Sequence, residues 1–300
     1  MAQERRKCIV ILSTKSSGSS ALQNLLCRDP SVRHVEWTRH NENETLYWVK
    51  AASVLGRGQV DMADSEVPIP RGRARGELVQ MLGRNLGADY RPPSDDRELV
   101  FGGWEALCER YAPVFLEKSP HHLHQRSALE LILERERSLD RVDFHIVGLV
   151  RNPMAALYSM WRRRREIPEV HQFEWLEAYR NLRWLESERP DLVSVVRYED
   201  LTDSSEPLLP VCRFAGIELP QPGYIHGRAL AKWRSDGHYG FGLEHRVAEL
   251  ARTFGYRDEE LSNDAAPGWP VYRQLMRWPH LAFRPVRLAV RGARKRMRDR

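Results

Sequence analysis

Long apolar segments are absent from the 300-residue sequence. No run approaches the ~18 consecutive apolar residues of a membrane-spanning helix. Three basic residues precede the apolar run Cys8–Leu12, as in a signal peptide, but the run is too short for the hydrophobic region of one. We therefore expect a soluble protein with a cytoplasmic location.

Closely spaced cysteines are also absent. The four cysteines, Cys8, Cys27, Cys108 and Cys212, lie far apart and form no C-x-x-C pair. This spacing argues against a disulfide framework or a cysteine zinc site and favours buried, reduced thiols. No spaced Asp/His cluster suits a metal ion either. We expect no metal cofactor.

A broad excess of basic residues is missing as well. The formal net charge is +6, but residues 284–300 alone contribute +7, so the rest of the chain sums to −1. Without a basic surface, no nucleic-acid partner is expected. Within this basic tail, Val286, Val290, Ala293 and Met297 recur at helical spacing beside arginines. Weak attachment to an anionic membrane and a solvated basic helix are both compatible with that pattern.

A strand, a polar turn and a helix are indicated between Lys7 and Cys27. The apolar run Cys8–Leu12 is rich in β-branched residues, which is typical of a buried parallel strand. Ser13–Ser20 then holds five serines, Lys15 and Gly18. Free N–H groups at a helix start attract an anion, and glycine lets the backbone approach it closely. The turn therefore suggests a phosphate site, with an ordinary capped turn as the alternative.

Alternation of strand and helix resumes after residue 112. Apolar runs at 113–117, 144–150 and 192–196 predict strands separated by helices, which indicates an α/β fold with a parallel central sheet flanked by helices. Residues 31–112 are mostly helix and loop without a clear strand, and we interpret them as an acceptor-side insertion. The prediction is a single domain over residues 1–283, followed by the basic tail.

Polar clusters follow four of the predicted strands. Because ligands in parallel sheets bind beyond the carboxyl ends of the strands, we expect these clusters to meet in one crevice. Their cations, hydroxyls and helix N-termini suit a multiply charged anion. The clusters are Ser13–Ser20, Lys118–His124, Arg151–Ser159 and Arg197–Asp200.

The same clusters resemble those of the sulfotransferases that use 3′-phosphoadenosine 5′-phosphosulfate (PAPS). Ser17-Gly18-Ser19-Ser20 resembles the family loop that binds the 5′-phosphosulfate. Val150-Arg151-Asn152-Pro153, with Ser159 eight residues after the arginine, resembles the site of the 3′-phosphate. The family's basic loop residue should stand at Ser16, but this chain has Lys15 one position earlier. Either Lys15 or Lys118 would therefore act on the leaving phosphate.

Further segments extend the resemblance. Glu117–Leu123 is similar to the family's K-S/T-P strand end, and Tyr198 belongs to a Y-E-D-L motif whose tyrosine lies near the adenine. Lys232 and Arg234 stand where the family often has a basic cap over the 3′-phosphate. The resemblance implies a sulfotransferase core related to P-loop nucleotide-binding proteins.

The implied reaction is in-line transfer of a sulfuryl group from PAPS to a hydroxyl or amine of a small-molecule, carbohydrate or lipid acceptor. A histidine suits the base because its usual pKa lies near working pH. His122 is the first candidate, because it is the fourth residue after Lys118 as in the family's K-x-P-x-H pattern. His121 is the second candidate and Glu117 the third.

Two other functions remain open from the residues alone. A P-loop kinase-like phosphotransferase using ATP is disfavoured, because neither a Walker A lysine nor a Mg²⁺-holding aspartate is evident. A nonenzymatic nucleotide-binding protein that docks on membranes through its tail is the third possibility. The acceptor is expected to contact residues 31–112, where polar or aromatic candidates are His34, Trp37, His40 and Glu44.

Overall fold

The central sheet contains five parallel strands in the order β2-β3-β1-β4-β5 among the described residues. The strands are β1 Arg6–Leu12, β2 Val32–Arg33, β3 Val114–Lys118, β4 Val142–Val150 and β5 Val193–Arg197. The computed structural model of the protein describes residues 5–138, 141–225, 227, 230–236, 239–263 and 269–283. The tail at 284–300, for which a membrane-facing helix was one prediction, lies outside these residues.

Helices cover both faces of this sheet, which confirms the predicted α/β class. They are α1 Ser19–Leu26, α2 Tyr47–Val54, α3 Arg71–Leu86, α4 Asp96–Arg110, α5 Arg126–Ser138, α6 Pro153–Arg164, α7 Pro168–Glu188, α8 Leu209–Ala215, α9 Lys232–Ser235, α10 His245–Thr253 and α11 Trp269–Ala282.

Strand β1 lies in the middle of the sheet and is buried on both sides. Because successive side chains of a strand point to opposite faces, Cys8, Val10 and Leu12 join one apolar cluster. Ile9 and Ile11 join the cluster on the other face. The continuous apolar run in the sequence reflects this double burial.

Residues 31–112 pack into the same core as the sheet. The rings of Trp48 and Trp104 lie 4.7 Å apart between centroids, and Trp104 meets Phe115 of β3 at 5.2 Å. One local prediction for this segment was wrong, because it contributes the short edge strand β2 although no clear strand was expected. Helix α3 begins at Arg71, and its apolar face reaches the core.

The chain forms turns after β3 before the next helix begins. Helix α5 begins only at Arg126, five residues after His121. Residues between them form successive tight turns, with the His122 amide donating to the Ser119 carbonyl at 3.2 Å and the Gln125 amide to the His122 carbonyl at 3.0 Å. These turns include Pro120 and place His121 and His122 at the carboxyl end of the sheet.

Candidate active site

The loop between β1 and α1 is fixed by hydroxyl groups beneath it. Thr14 Oγ1 and Ser17 Oγ lie 2.6 Å apart, and each is 3.3 Å from the hydroxyl of Tyr179 on α7. That tyrosine in turn donates to the Leu149 carbonyl at 2.9 Å. The side chain of Ser17 is therefore buried against the core, whereas the loop backbone stays at the sheet edge.

Gly18 ends this loop and contacts Tyr198 closely. Its φ of +92° is the left-handed region that favours glycine. A Cβ at this position would lie 2.1 Å from Cε2 of Tyr198, which is not possible without a shift of the ring or the loop. The tyrosine is held in turn by its own amide, which donates to the Val150 carbonyl at 2.7 Å.

Arg151 joins the end of β4 to the same loop. Its Nη1 donates to the Ser16 carbonyl at 2.7 Å, and its guanidinium carbon lies 5.0 Å from the centroid of the Tyr198 ring. The side chain is buried, and its Nε has no hydrogen-bond partner among the described residues. Burial lowers the pKa of this arginine, so a bound anion would compensate for its lost hydration.

Arg151 directly precedes the start of α6. The Oδ1 of Asn152 accepts from the Ala155 amide at 3.3 Å, and Pro153 is the first helical residue. Asparagine at this position and proline after it are favoured at helix starts because the first amides lack helical partners. The sequence therefore places an arginine and the N-terminus of a helix side by side.

These elements enclose one cleft of about 510 Å³ beyond the carboxyl ends of β1, β3, β4 and β5. The expected crevice therefore forms. Site residues predicted from the sequence that line the cleft are Lys15, Ser16, Gly18, Ser19, Ser20, His121, Arg151, Ser159 and Tyr198. The other lining residues are Ala21, His40, Glu42, Glu44, Pro120, Arg163 and Arg164.

Lys118 lies beneath the cleft wall rather than in its lining. The ammonium group donates to Ser20 Oγ at 3.1 Å and to the Glu42 carbonyl at 2.8 Å, and it lies 3.6 Å from Glu44 Oε1. The lysine therefore ties the β1–α1 loop to the segment that carries the two glutamates.

The two glutamates of this segment differ in protonation behaviour. A hydrogen bond from Ser20 lowers the pKa of Glu42, and that bond is 2.6 Å long. Burial raises the pKa of Glu44 although Lys118 opposes it. One side of the cleft therefore presents a firmly ionised carboxylate beside one that is harder to ionise.

His122 and Glu117 form a buried pair behind the cleft. The histidine Nε2 lies 3.2 Å from Glu117 Oε1, which also accepts from Ser119 at 2.7 Å and from Thr45 at 2.5 Å. Burial alone would raise the pKa of Glu117, but His122 and the two hydroxyl groups lower it. The His122 Nδ1 is buried, and none of the described residues hydrogen-bonds to it.

His121 is the predicted base candidate whose side chain lines the cleft. Burial, together with the positive charge of Lys15 nearby, holds its pKa well below the usual value. The imidazole is therefore neutral at neutral pH, and its Nδ1 has no hydrogen-bond partner in the part of the chain that the structure describes. A neutral ring nitrogen of this kind can accept a proton.

Comparison with known families identifies the family of the chain. A family model described as "Sulfotransferase family" matches residues 8–221, more than two thirds of the chain. The chain belongs to the sulfotransferase family. The resemblance seen in the motifs is therefore confirmed.

Two solved structures share the fold of this sulfotransferase. The sulfotransferase domain of the Synechococcus PCC 7002 olefin synthase is 20% identical with a TM-score of 0.53, over 86% of this chain and 98% of that one. The sulfotransferase domain of the curacin biosynthetic pathway is 17% identical with a TM-score of 0.52, over 85% and 99%. No curated protein matches the chain. These likenesses confirm the predicted P-loop-like core.

Two predicted cap residues of the sulfotransferase lie away from the cleft. Lys232 and Arg234 are exposed on α9, and neither belongs to the lining among the described residues. Arg234 instead reaches the Glu259 carbonyl at 3.5 Å. On α6, by contrast, Arg163 and Arg164 do line the cleft, and Arg164 donates to Ser16 Oγ at 3.3 Å. The side chains of Arg163 and Arg164 at the end of α6 therefore belong to the cleft.

A charged network behind Lys15 was missed by the sequence analysis. Lys15 Nζ donates to the Ala63 carbonyl at 3.2 Å. In the next layer, His171 Nδ1 meets Glu174 at 2.9 Å and its Nε2 meets Asp64 at 3.2 Å. Burial opposes protonation, but these carboxylates raise the pKa of His171 to about 9. The spacing of His171 and Glu174 on one helical face was the available signal.

The described residues contain neither a membrane span nor a metal cluster. No helix there is both long and apolar enough to cross a bilayer. No group of three or more His, Cys, Asp or Glu side chains in that part of the chain is arranged to hold a metal ion.

Proposed function

We propose that this sulfotransferase uses PAPS and transfers its sulfuryl group to a hydroxyl or amine of a small-molecule, carbohydrate or lipid acceptor. The observation that carries the proposal is that the β1–α1 loop and the Arg151–Ser159 segment open into one cleft. Each offers N–H, hydroxyl or guanidinium donors to an anion. A nucleotide with phosphate groups at both ends of its ribose matches two such sites.

The donor set fits the two ends of PAPS. Arg151 has an unpartnered Nε, and Ser159 lines the same cleft, so together they would hold the 3′-phosphate. The amides at the start of α1 and the hydroxyls of Ser19 and Ser20 would hold the 5′ end. Tyr198, which lies between Gly18 and Arg151, would contact the adenine.

We assign the cation at the leaving oxygen to Lys15. Its side chain lines the cleft, and its one hydrogen bond among the described residues goes to the Ala63 carbonyl. Lys118 already donates to two oxygens, so it would support the loop through Ser20. A positive charge placed where negative charge develops lowers the barrier most.

His121 is our choice for the base. A general base must come within hydrogen-bond reach of the acceptor proton, and His121 lines the cleft whereas His122 lies behind it. His122 is the second candidate for the base. Glu117 would orient its ring through Nε2, and Nδ1 could then accept the proton. Glu117 itself is occupied by three neighbours and ranks third.

Calorimetric titration tests the nucleotide. PAPS and its desulfated product, 3′,5′-adenosine bisphosphate, should both bind, and ATP with Mg²⁺ should bind at least about tenfold more weakly, because its triphosphate would place charge only at the 5′ end. Tighter binding of ATP with Mg²⁺ would contradict the proposal. A mass-spectrometric search for products heavier by one SO₃ group, with PAPS and a cell extract as the acceptor source, would then identify the acceptor.

A further inference from the structure

Helix α11 is oriented with its charged residues inward. Arg273 is buried, donates to the Gly240 carbonyl at 2.6 Å and pairs with Glu169 on α7. One turn later, Arg277 lies 2.9 Å from Asp64. Ion pairs therefore hold the helix on the protein, where apolar contacts would be usual for an amphipathic helix.

The opposite side of α11 is apolar and open to solvent. Val271 is 65% exposed, Leu275 67% and Trp278 78%, and their spacing places all three on one stripe. Further large apolar side chains exposed at this end of the chain are Tyr272, Met276, Leu281 and Phe283. A contiguous patch of this kind indicates a surface that contacts something apolar.

The sequence that follows supplies charge of one sign. Residues 284–300 contain eight Lys or Arg and one Asp, directly after the apolar patch. Basic residues beside an exposed apolar helix are the chemistry that binds anionic phospholipid surfaces. A second copy of the chain would bring two such tails, each of +7, near one another.

We propose that α11 docks the protein on an anionic membrane surface, with Val271, Leu275 and Trp278 inserted among the lipids. The helix has 14 residues, about 21 Å at 1.5 Å per residue, so it would lie in the interface rather than cross the ~30 Å hydrocarbon layer. The buried arginines keep the helix attached in this orientation. The proposal does not depend on which group the enzyme transfers.

Vesicle cosedimentation of the full-length protein tests the docking. Vesicles of phosphatidylcholine with a minority of phosphatidylglycerol should bind the protein at least about tenfold more tightly than vesicles of phosphatidylcholine alone. The double variant Leu275→Ser/Trp278→Ser should bind the anionic vesicles at least about tenfold more weakly, because two large apolar side chains no longer insert. Trp278→Phe, which keeps an apolar ring, should stay within about twofold of the wild type.

A matched control uses apolar residues exposed elsewhere. Leu219→Ser/Tyr224→Ser removes two partly exposed apolar side chains outside α11 and should leave vesicle binding unchanged. Circular dichroism and thermal unfolding verify that all variants are folded.

Three results would overturn the proposal. The first is a wild-type protein that binds neither vesicle. The second is binding that is lost on deleting residues 284–300 yet unchanged in the α11 double variant. The third is a concentration-dependent dimer in sedimentation equilibrium that the double variant abolishes, since a second copy would then cover the face.

Discussion

The two sides of the cleft are built in different ways. The proposed nucleotide side comes from short segments at strand ends, and main-chain contacts such as that between Arg151 and the Ser16 carbonyl hold them together. The opposite side combines His40, Glu42 and Glu44 with arginines from α6. The first side is thus built from loops that follow strands, and the second from the segment 40–44 and one helix.

In our proposal, the first side binds the nucleotide and the second selects the acceptor. On the first side, Gly18 and Tyr198 are in such close contact that one extra carbon is excluded. On the second side, burial lowers the pKa of His40 to about 4, while the neighbouring Glu42 is held ionised. A neutral histidine beside an ionised carboxylate suits a polar acceptor.

The largest effect should come from His121→Ala. Loss of the base should lower kcat by about 10³-fold at saturating PAPS, measured with the acceptor found by mass spectrometry. His122→Ala should cost less, because that ring lies behind the cleft. If the order of the two losses is reversed, the role of base passes to His122.

The protonation of His121 as a function of pH tests its assignment as the base. Because burial and Lys15 hold the pKa of His121 well below 6.5, the base form persists in mildly acidic solution. In the nucleotide-free protein, NMR titration should show His121 still neutral at pH 6. A His121 signal that titrates at or above pH 6.5 would contradict this electrostatic account.

Gly18→Ala should have the next largest effect. The added Cβ would collide with the Tyr198 ring at a backbone angle that disfavours alanine, so affinity for 3′,5′-adenosine bisphosphate should fall by about 10²-fold. Calorimetry measures the affinity. Gly83→Ala is the control, because that glycine lies within α3 with open space around it. Equal affinities of the two variants would show that the close contact is unimportant.

The network of His171, Glu174 and Asp64 behind Lys15 should affect the free energy of unfolding rather than the affinity for the nucleotide. His171 has a folded-state pKa of about 9 against 6.5 unfolded, so its contribution is complete below pH 6.5 and disappears as pH rises through 9. The contribution is roughly 3 kcal/mol in the free energy of unfolding. Urea unfolding across this pH range should show the decline.

A histidine substitution tests whether this residue causes the decline. His171→Gln should flatten the stability profile between pH 6.5 and 9. His245→Gln, on the exposed face of α10, should leave the slope as it is in the wild type. An unchanged slope in His171→Gln would mean that other groups produce it.

The smallest effect is expected at the acceptor side. Arg164→Gln removes a hydrogen bond to Ser16 and one cation from the cleft, and KM for the acceptor should rise by less than about tenfold. Arg162→Gln is the control, because Arg162 pairs with Asp236 and is not among the described lining residues. Equal effects of the two changes on KM would show that Arg164 does not bind the acceptor.

The sequence predicted the strands and the loop after β1 well because their signals are local. The run from Phe144 to Val150 is apolar apart from His145, and the structure extends it by two residues to Val142. The pairing of Asp64 with His171 spans 107 positions and leaves no local pattern. The burial of His122 could not be predicted from the sequence either, because it depends on segment 42–46 folding over β3.

The central claim is that Arg151 and the β1–α1 loop hold opposite ends of one nucleotide. Calorimetric affinities for 3′,5′-adenosine bisphosphate and for AMP, which lacks the 3′-phosphate, test it in the wild type, Arg151→Met and the exposed control Arg110→Met. We predict a preference of at least about tenfold for the bisphosphate in the wild type and the control. In Arg151→Met that preference should vanish while AMP affinity changes little. A variant that keeps the preference, or loses both affinities equally, would contradict the account.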